Sequence, residues 1–123
     1  MGKLTAMADW ETGHIPGKRA SMIVRMWHGR TPADKADQYV KYLKETGVKE
    51  YRETQGNRGV QILRRVRGDE AEFLTVTWWD SVDAIRGFAG ADIETPVYYP
   101  QDREFLLEFE DHVDHYEVMV QEQ

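Results

Sequence analysis

The stretch RGVQILRRVRGDEAEFLTVTWWD, Arg58 to Asp80, decides the fold. Two runs rich in β-branched and aromatic residues flank Gly68-Asp69, a pattern that predicts a β-hairpin with a two-residue loop. Centring the turn there sets a register. Arg67 faces Glu70, Arg65 faces Glu72, Leu63 faces Leu74, and Gly59 faces Trp78, whose indole replaces the missing side chain. Side chains alternate along a strand. One face therefore carries Leu63, Leu74, Val76 and Trp78; the other carries Val60, Ile62, Phe73, Thr75, Thr77 and Trp79. Both faces are apolar, so both call for cover.

Upstream, MIVRMWHG (Met22 to Gly29) reads as a first strand. Val24, Met26 and His28 share one side; Ile23, Arg25 and Trp27 share the other. Thr31-Pro32 then opens a helix, with Thr31 as N-cap and Pro32 in the first helical position. Its stripe is Ala33, Ala36, Tyr39, Val40 and Leu43, with Asp37 and Lys41 as an i,i+4 pair and Gly47 as the stop. Residues 48–57 read as a loop or short helical turn. Asp80 or Ser81 caps a second helix through Val82, Ile85, Phe88 and Ala89, ended by Gly90. Pro100 starts a short helix, and HVDHYEVMV (His112 to Val120) is a last strand.

The resulting order, β-α-β-β-α-β with one short extra helix, is a split βαβ unit of ferredoxin-like topology. Its class is α+β, with a four-stranded antiparallel sheet. Two helices cover one sheet face. The simplest cover for the second face is another copy, which makes a homodimeric α+β barrel. Leu63, Leu74, Val76 and Trp78 then form the interface.

The 123 residues suit one domain, residues 22–123, preceded by a mixed extension over residues 1–21 that reads as mobile. The net charge of −6 argues against a general nucleic-acid or anionic-membrane binder. There is no cysteine, which excludes disulfides, thiolate metal sites and cysteine nucleophiles. No signal peptide is read, and no apolar run approaches the ~20 residues needed to span a bilayer. The expected location is the cytoplasm.

The chain resembles the antibiotic biosynthesis monooxygenase superfamily of dimeric α+β barrels. The resemblance rests on MIVRMWHG followed by a helix opening at Thr31-Pro32, on NRGVQILRR (Asn57 to Arg65), and on FLTVTWWDSVDAIRGFAG (Phe73 to Gly90) with its Trp79-Asp80-Ser81 step. It implies a cavity in each subunit between sheet and helices. Trp79 would lie at that cavity, with Phe73, Thr75 and Thr77 on the same face and Met26 and His28 on the cavity side of the first strand. Haem-degrading members use an Asn on the first strand, a Trp at the end of the third, and a His after the second helix. Trp79 matches, but Met26 stands at the Asn position. Tyr98 and Tyr99, not a His, follow the second helix, although a tyrosinate ligand is chemically possible.

Each candidate has a functional and a structural reading. His28 is a base for a phenolic proton, or a hydrogen-bonded strand-end residue. Trp79 stacks on a planar substrate, or fills the core. Tyr51, Tyr98 and Tyr99 offer phenolic donors at the cavity mouth, or cover apolar neighbours. Asn57 binds ligand, or makes a turn. His115 faces the cavity or the partner subunit. His112 and His115 point to opposite faces and cannot chelate one metal, and no metal-ligand spacing is present. The expected function is a small monooxygenase-like protein acting without metal or flavin on an aromatic or polyketide-like molecule. The alternatives are a non-enzymatic, stress-associated dimer that binds a small ligand, and a haem binder.

Overall fold

A computed structural model describes residues 22–122; the expected N-terminal extension lies outside the described residues. The hairpin consists of β2 (Asn57–Arg67) and β3 (Glu70–Trp79). Gly68 has φ +60, and no described non-glycine residue has a positive φ. A positive angle at the first loop position is the hallmark of a II′ turn. All four expected pairs occur in the ladder, and the register shifts once at Arg58, as a bulge. The Trp78 ring lies 3.8 Å from where a Gly59 Cβ would sit, so the indole does cover that glycine.

Strand β1 (Ile23–Pro32) runs antiparallel to β3 from Ile23–Trp79 to Pro32–Glu70. Strand β4 (Asp114–Glu117) pairs with Ile23 to Met26 only, and the sheet order is β2-β3-β1-β4. This is the ferredoxin-like α+β arrangement. Beyond Met26 the edge of β1 is followed by an irregular strap, residues 105–113, which donates Leu107 N–H to Arg30 O at 2.9 Å.

The helical layer contains α1 (Ala36–Glu45), α2 (Gly47–Glu53) and α3 (Val82–Ala89). Thr31 and Pro32 do not open α1. Both end β1, and a 3-10 turn over Ala33–Lys35 intervenes. Thr31 is fully buried opposite Ala71, and its hydroxyl donates to Pro32 O. A residue before proline favours extended backbone, which here prolongs the strand. Gly47 likewise does not stop the helical run. The chain turns at Thr46, and buried Gly47 begins α2. Asp37 pairs with Arg64 of β2 at 2.7 Å. Helix α3 follows expectation: the Ser81 hydroxyl accepts from Ala84 N–H at 3.1 Å, and Gly90 closes it with φ +93.

Between sheet and helices the apolar side chains form two clusters. One gathers Trp27, Tyr39, Tyr42, Leu43 and Phe73; the other gathers Ile23, Trp79, Val82, Ile85 and Ile93.

Candidate functional site

Alternation places a polar row between those clusters. On the helix-facing side β1 presents Ile23, Arg25 and Trp27, and β3 presents Phe73, Thr75, Thr77 and Trp79. The register aligns Arg25 with Thr77 on one flank and His115 of β4 on the other. Arg25, Thr75 and Thr77 are 2%, 3% and 1% exposed, so this row is interior.

The Arg25 guanidinium donates through Nη1 to Ile93 O and through Nη2 to Thr95 O at 3.1 Å. Nη1 also lies 3.1 Å from His115 Nε2. A guanidinium only donates, so Nε2 must accept, and the imidazole is the neutral Nδ1–H tautomer. Burial, then the Arg25 charge, push the His115 pKa down to about 4. Burial also lowers the Arg25 pKa, against a smaller opposing effect of Tyr51. The Thr77 hydroxyl donates to Arg25 O at 3.3 Å and accepts from Trp79 Nε1 at 2.8 Å, fixing the indole.

Next to this row lies a small space walled by Trp27, Tyr39, Tyr51, Thr75, Tyr98 and Tyr99, with Asp102 also at its edge. Its volume is about 20 Å³, enough for one water. The surrounding hydroxyls are held. Tyr98 Oη donates to Glu110 O at 2.7 Å, and Tyr99 Oη to Glu50 Oε1 at 2.5 Å. Burial raises the pKa of Tyr39, Tyr98 and Tyr99 and pushes Tyr51 up to about 12. Asp102 is 3% exposed. Burial lifts its carboxyl pKa, and the Tyr99 N–H it accepts at 2.6 Å offsets this only in part.

Of the expected site residues, the structure brings Tyr51, Thr75, Tyr98 and Tyr99 to this space and His115 and Thr77 to the polar row. Phe73 and Trp79 face the helices but sit inside the two clusters. Met26 and His28 are corrections. Ile23 pairs with Trp79, so the odd-numbered residues of β1 share the helix-facing side and the even-numbered ones point away. His28 is held on the far face between Glu110 (Nδ1, 2.5 Å) and Glu72 (Nε2, 2.7 Å). Asn57 does not line the space either. Its amide bonds Gly59 O and Trp78 O across the bulge.

Sequence reasoning missed Arg25, Trp27, Tyr39 and Asp102 as site residues. Arg25 shares its side of β1 with Ile23 and Trp27, but a charge in a strand reads as solvent-facing until a register is fixed. Asp102 carried a weak signal, three residues after Tyr99, where an acidic side chain caps the 3-10 turn Pro100–Glu104.

The model of the antibiotic biosynthesis monooxygenase family matches residues 22–93. The chain belongs to that family. Among solved structures, this family member is similar to a candidate antibiotic biosynthesis monooxygenase from Bacillus cereus. The TM-score is 0.58 at 16% identity, over 85% of this chain and 99% of that one. It is similar to a second candidate monooxygenase of that name, from Nitrosomonas europaea, with TM-score 0.60 and 13% identity over 83% and 94% of the two chains. A third is the haem-degrader MhuD of Mycobacterium tuberculosis, solved with two haems in its active site. It has TM-score 0.56 and 22% identity over 82% and 99%. At these identities the likenesses show a shared fold. No curated protein matches the chain. Among the described residues no helix is long and apolar enough to cross a membrane, and no metal-binding group of His, Asp and Glu side chains occurs.

Proposed function

We propose that this family member is a cytoplasmic, homodimeric monooxygenase that oxidises an aromatic or polyketide-like molecule without metal or flavin. The observation that carries this reading is the ring of aromatic side chains around a small space beside a buried polar row. Trp27, Tyr39, Tyr51, Tyr98 and Tyr99 supply flat apolar walls, while Asp102 brings a carboxylate to the same space. Asp102 is the base in this reading, since its raised pKa brings it closer to that of an acidic carbon or phenol. The substrate loses a proton to Asp102, and its anion gives an electron to dioxygen. The substrate radical and superoxide join as a peroxide anion, which takes the proton back from Asp102, and the resulting hydroperoxide loses water to leave a carbonyl. The Tyr51 hydroxyl donates to the developing oxyanion, and the dry walls keep water from it.

The homodimer is supported by the sheet face away from the helices. Leu63 there is 45% exposed, and Leu74 and Trp78 are only half-buried among the described residues. Val76, on the same face, is already 7% exposed within one subunit, so Leu63, Leu74 and Trp78 have more to gain from docking.

Haem, the ligand of MhuD, does not fit the donors here. The described helix-facing imidazole, His115, gives Nε2 to Arg25, and the raised pKa values of Tyr98 and Tyr99 oppose a tyrosinate ligand. The small volume favours one alternative, a non-enzymatic dimer that opens only to sequester a ligand.

Oxygen uptake with an anthrone as substrate separates the two. Wild-type protein consumes oxygen above the spontaneous rate. Asp102→Asn, which keeps an acceptor for Tyr99 N–H, binds the anthrone, read by tryptophan quenching, without consuming oxygen. Equal uptake in both proteins removes Asp102 from the mechanism. Quenching without uptake in the wild type establishes the sequestering reading.

A further inference from the structure

Arg25 is a buried cation that has no counter-charge among the described residues. Its partners there are two backbone carbonyls, a neutral imidazole, and the face of Phe88 at 5.8 Å from the guanidinium carbon. These bonds use three of five N–H donors. Removing a guanidinium from water is costly unless an anion compensates it, and its planar fork matches two oxygens at once. Among the described residues, the interior therefore holds half of an ion pair.

The position of the cation relative to the walled space is set by the ladder. Trp27 and Thr75 both line the space and face each other across β1 and β3. Arg25 and Thr77 form the next helix-facing row, two residues along, or about 6.6 Å of strand rise. Tyr51 bridges the two places. Its ring is a wall of the space and lies tilted by 41° against Phe88, the ring beneath the guanidinium, with 4.4 Å between centroids. The space as it stands holds about one water and Arg25 is not among its walls, so a planar molecule reaches the guanidinium only where Trp27 and Tyr51 part.

We propose that Arg25 binds an anionic oxygen of the ligand, so that this site selects arenes carrying a carboxylate or ring oxyanion over neutral arenes of the same shape. The proposal rests on the aromatic-site reading above and adds the charge of the ligand to it. His115 reports occupancy. It accepts from the same guanidinium, so an anion that neutralises Arg25 removes one of the two influences that hold the imidazole unprotonated.

The test compares naphthoate with naphthylmethanol, an anionic and a neutral naphthalene, at neutral pH. Binding is read by tryptophan quenching and by the imidazole resonances of His115. A dinitronaphtholate arm distinguishes ring oxyanion from carboxylate. Naphthoate or the naphtholate binds the wild type at least about tenfold tighter than naphthylmethanol, the factor expected for one hydrogen bond to a charged group. The anion raises the His115 pKa, and naphthylmethanol leaves it unchanged. Arg25→Gln loses the preference, and Arg25→Lys keeps part of it. The wild-type measurements stand even where a variant fails to fold. Equal affinity for anionic and neutral rings, or a preference that survives in folded Arg25→Gln, overturns the proposal while the aromatic site stands. Failure of all three rings to bind overturns both.

Discussion

His115 Nε2 lies 3.1 Å from Arg25 Nη1, across the paired strands β4 and β1. One member of this pair is a permanent cation, so the other stays neutral over the physiological range. The stability consequence has a definite sign. Burial and the Arg25 charge hold the folded-state pKa of His115 below its unfolded value, at about 4 against 6.5. Its contribution is complete above pH 6.5 and is lost as pH falls from 6.5 toward 4. Partial exposure reduces the magnitude to about 1–2 kcal/mol. Urea unfolding at a series of pH values, wild type against His115→Gln, measures it. The variant flattens the acid limb, and equal acid limbs contradict the assignment.

His28 behaves in the opposite way. Burial opposes its charge most strongly, but hydrogen bonds to Glu110 and Glu72, with their charges, together raise the pKa. Both ring nitrogens meet acceptor-only carboxylates, which favours the doubly protonated ring. The clamp is therefore complete below the unfolded pKa of about 6.5 and is lost as pH rises through the higher folded value. The side chain is 32% exposed, so the effect on global stability is below about 1 kcal/mol. The local effect falls on the strap, where His28→Ala speeds hydrogen exchange of the Leu107 amide. Oxygen uptake in that variant stays at the wild-type level.

In the proposed homodimer the sheet face away from the helices carries the contact. Leu74→Arg places a charge opposite Leu63 in the centre of that face. Sedimentation at micromolar concentration then finds a dimer for the wild type and a monomer for the variant. A wild-type monomer would sink the dimer outright.

Gly56 tolerates no side chain. Its φ is +92, and an added Cβ would come within 2.4 Å of the Ala84 Cβ in α3. Strain and overlap act together, so Gly56→Ala costs about 2–4 kcal/mol. A melting curve shows the loss as a drop in Tm of roughly 10 °C or more.

The hairpin was legible because its information is local: a glycine turn sets the register, and alternation sets the faces. The assignment of Leu63, Leu74, Val76 and Trp78 to one face, and of Phe73, Thr75, Thr77 and Trp79 to the other, followed from the turn alone. The same argument failed one strand earlier because β1 has no turn to anchor it. Its two faces were equally apolar on paper, and the one-residue ambiguity sent Met26 and His28 to the wrong side. Arg25 was hidden by the same slip, since a charge in a strand reads as solvent-facing until a register forbids it. Asp102, with only its weak capping signal, and Tyr39 were missed for another reason. They reach the space from the helical layer, and no short-range pattern says how that layer sits on the sheet.

The bulged strand β2 is the sheet's long outer edge, and Arg58, Arg64, Arg65 and Arg67 crowd along it. The opposite edge strand, β4, is only four residues long. Stray chains seeking to extend the ribbon sideways meet long, ion-paired arginine side chains on one flank and almost no template on the other. Both flanks thereby resist fibril-like growth by edge addition.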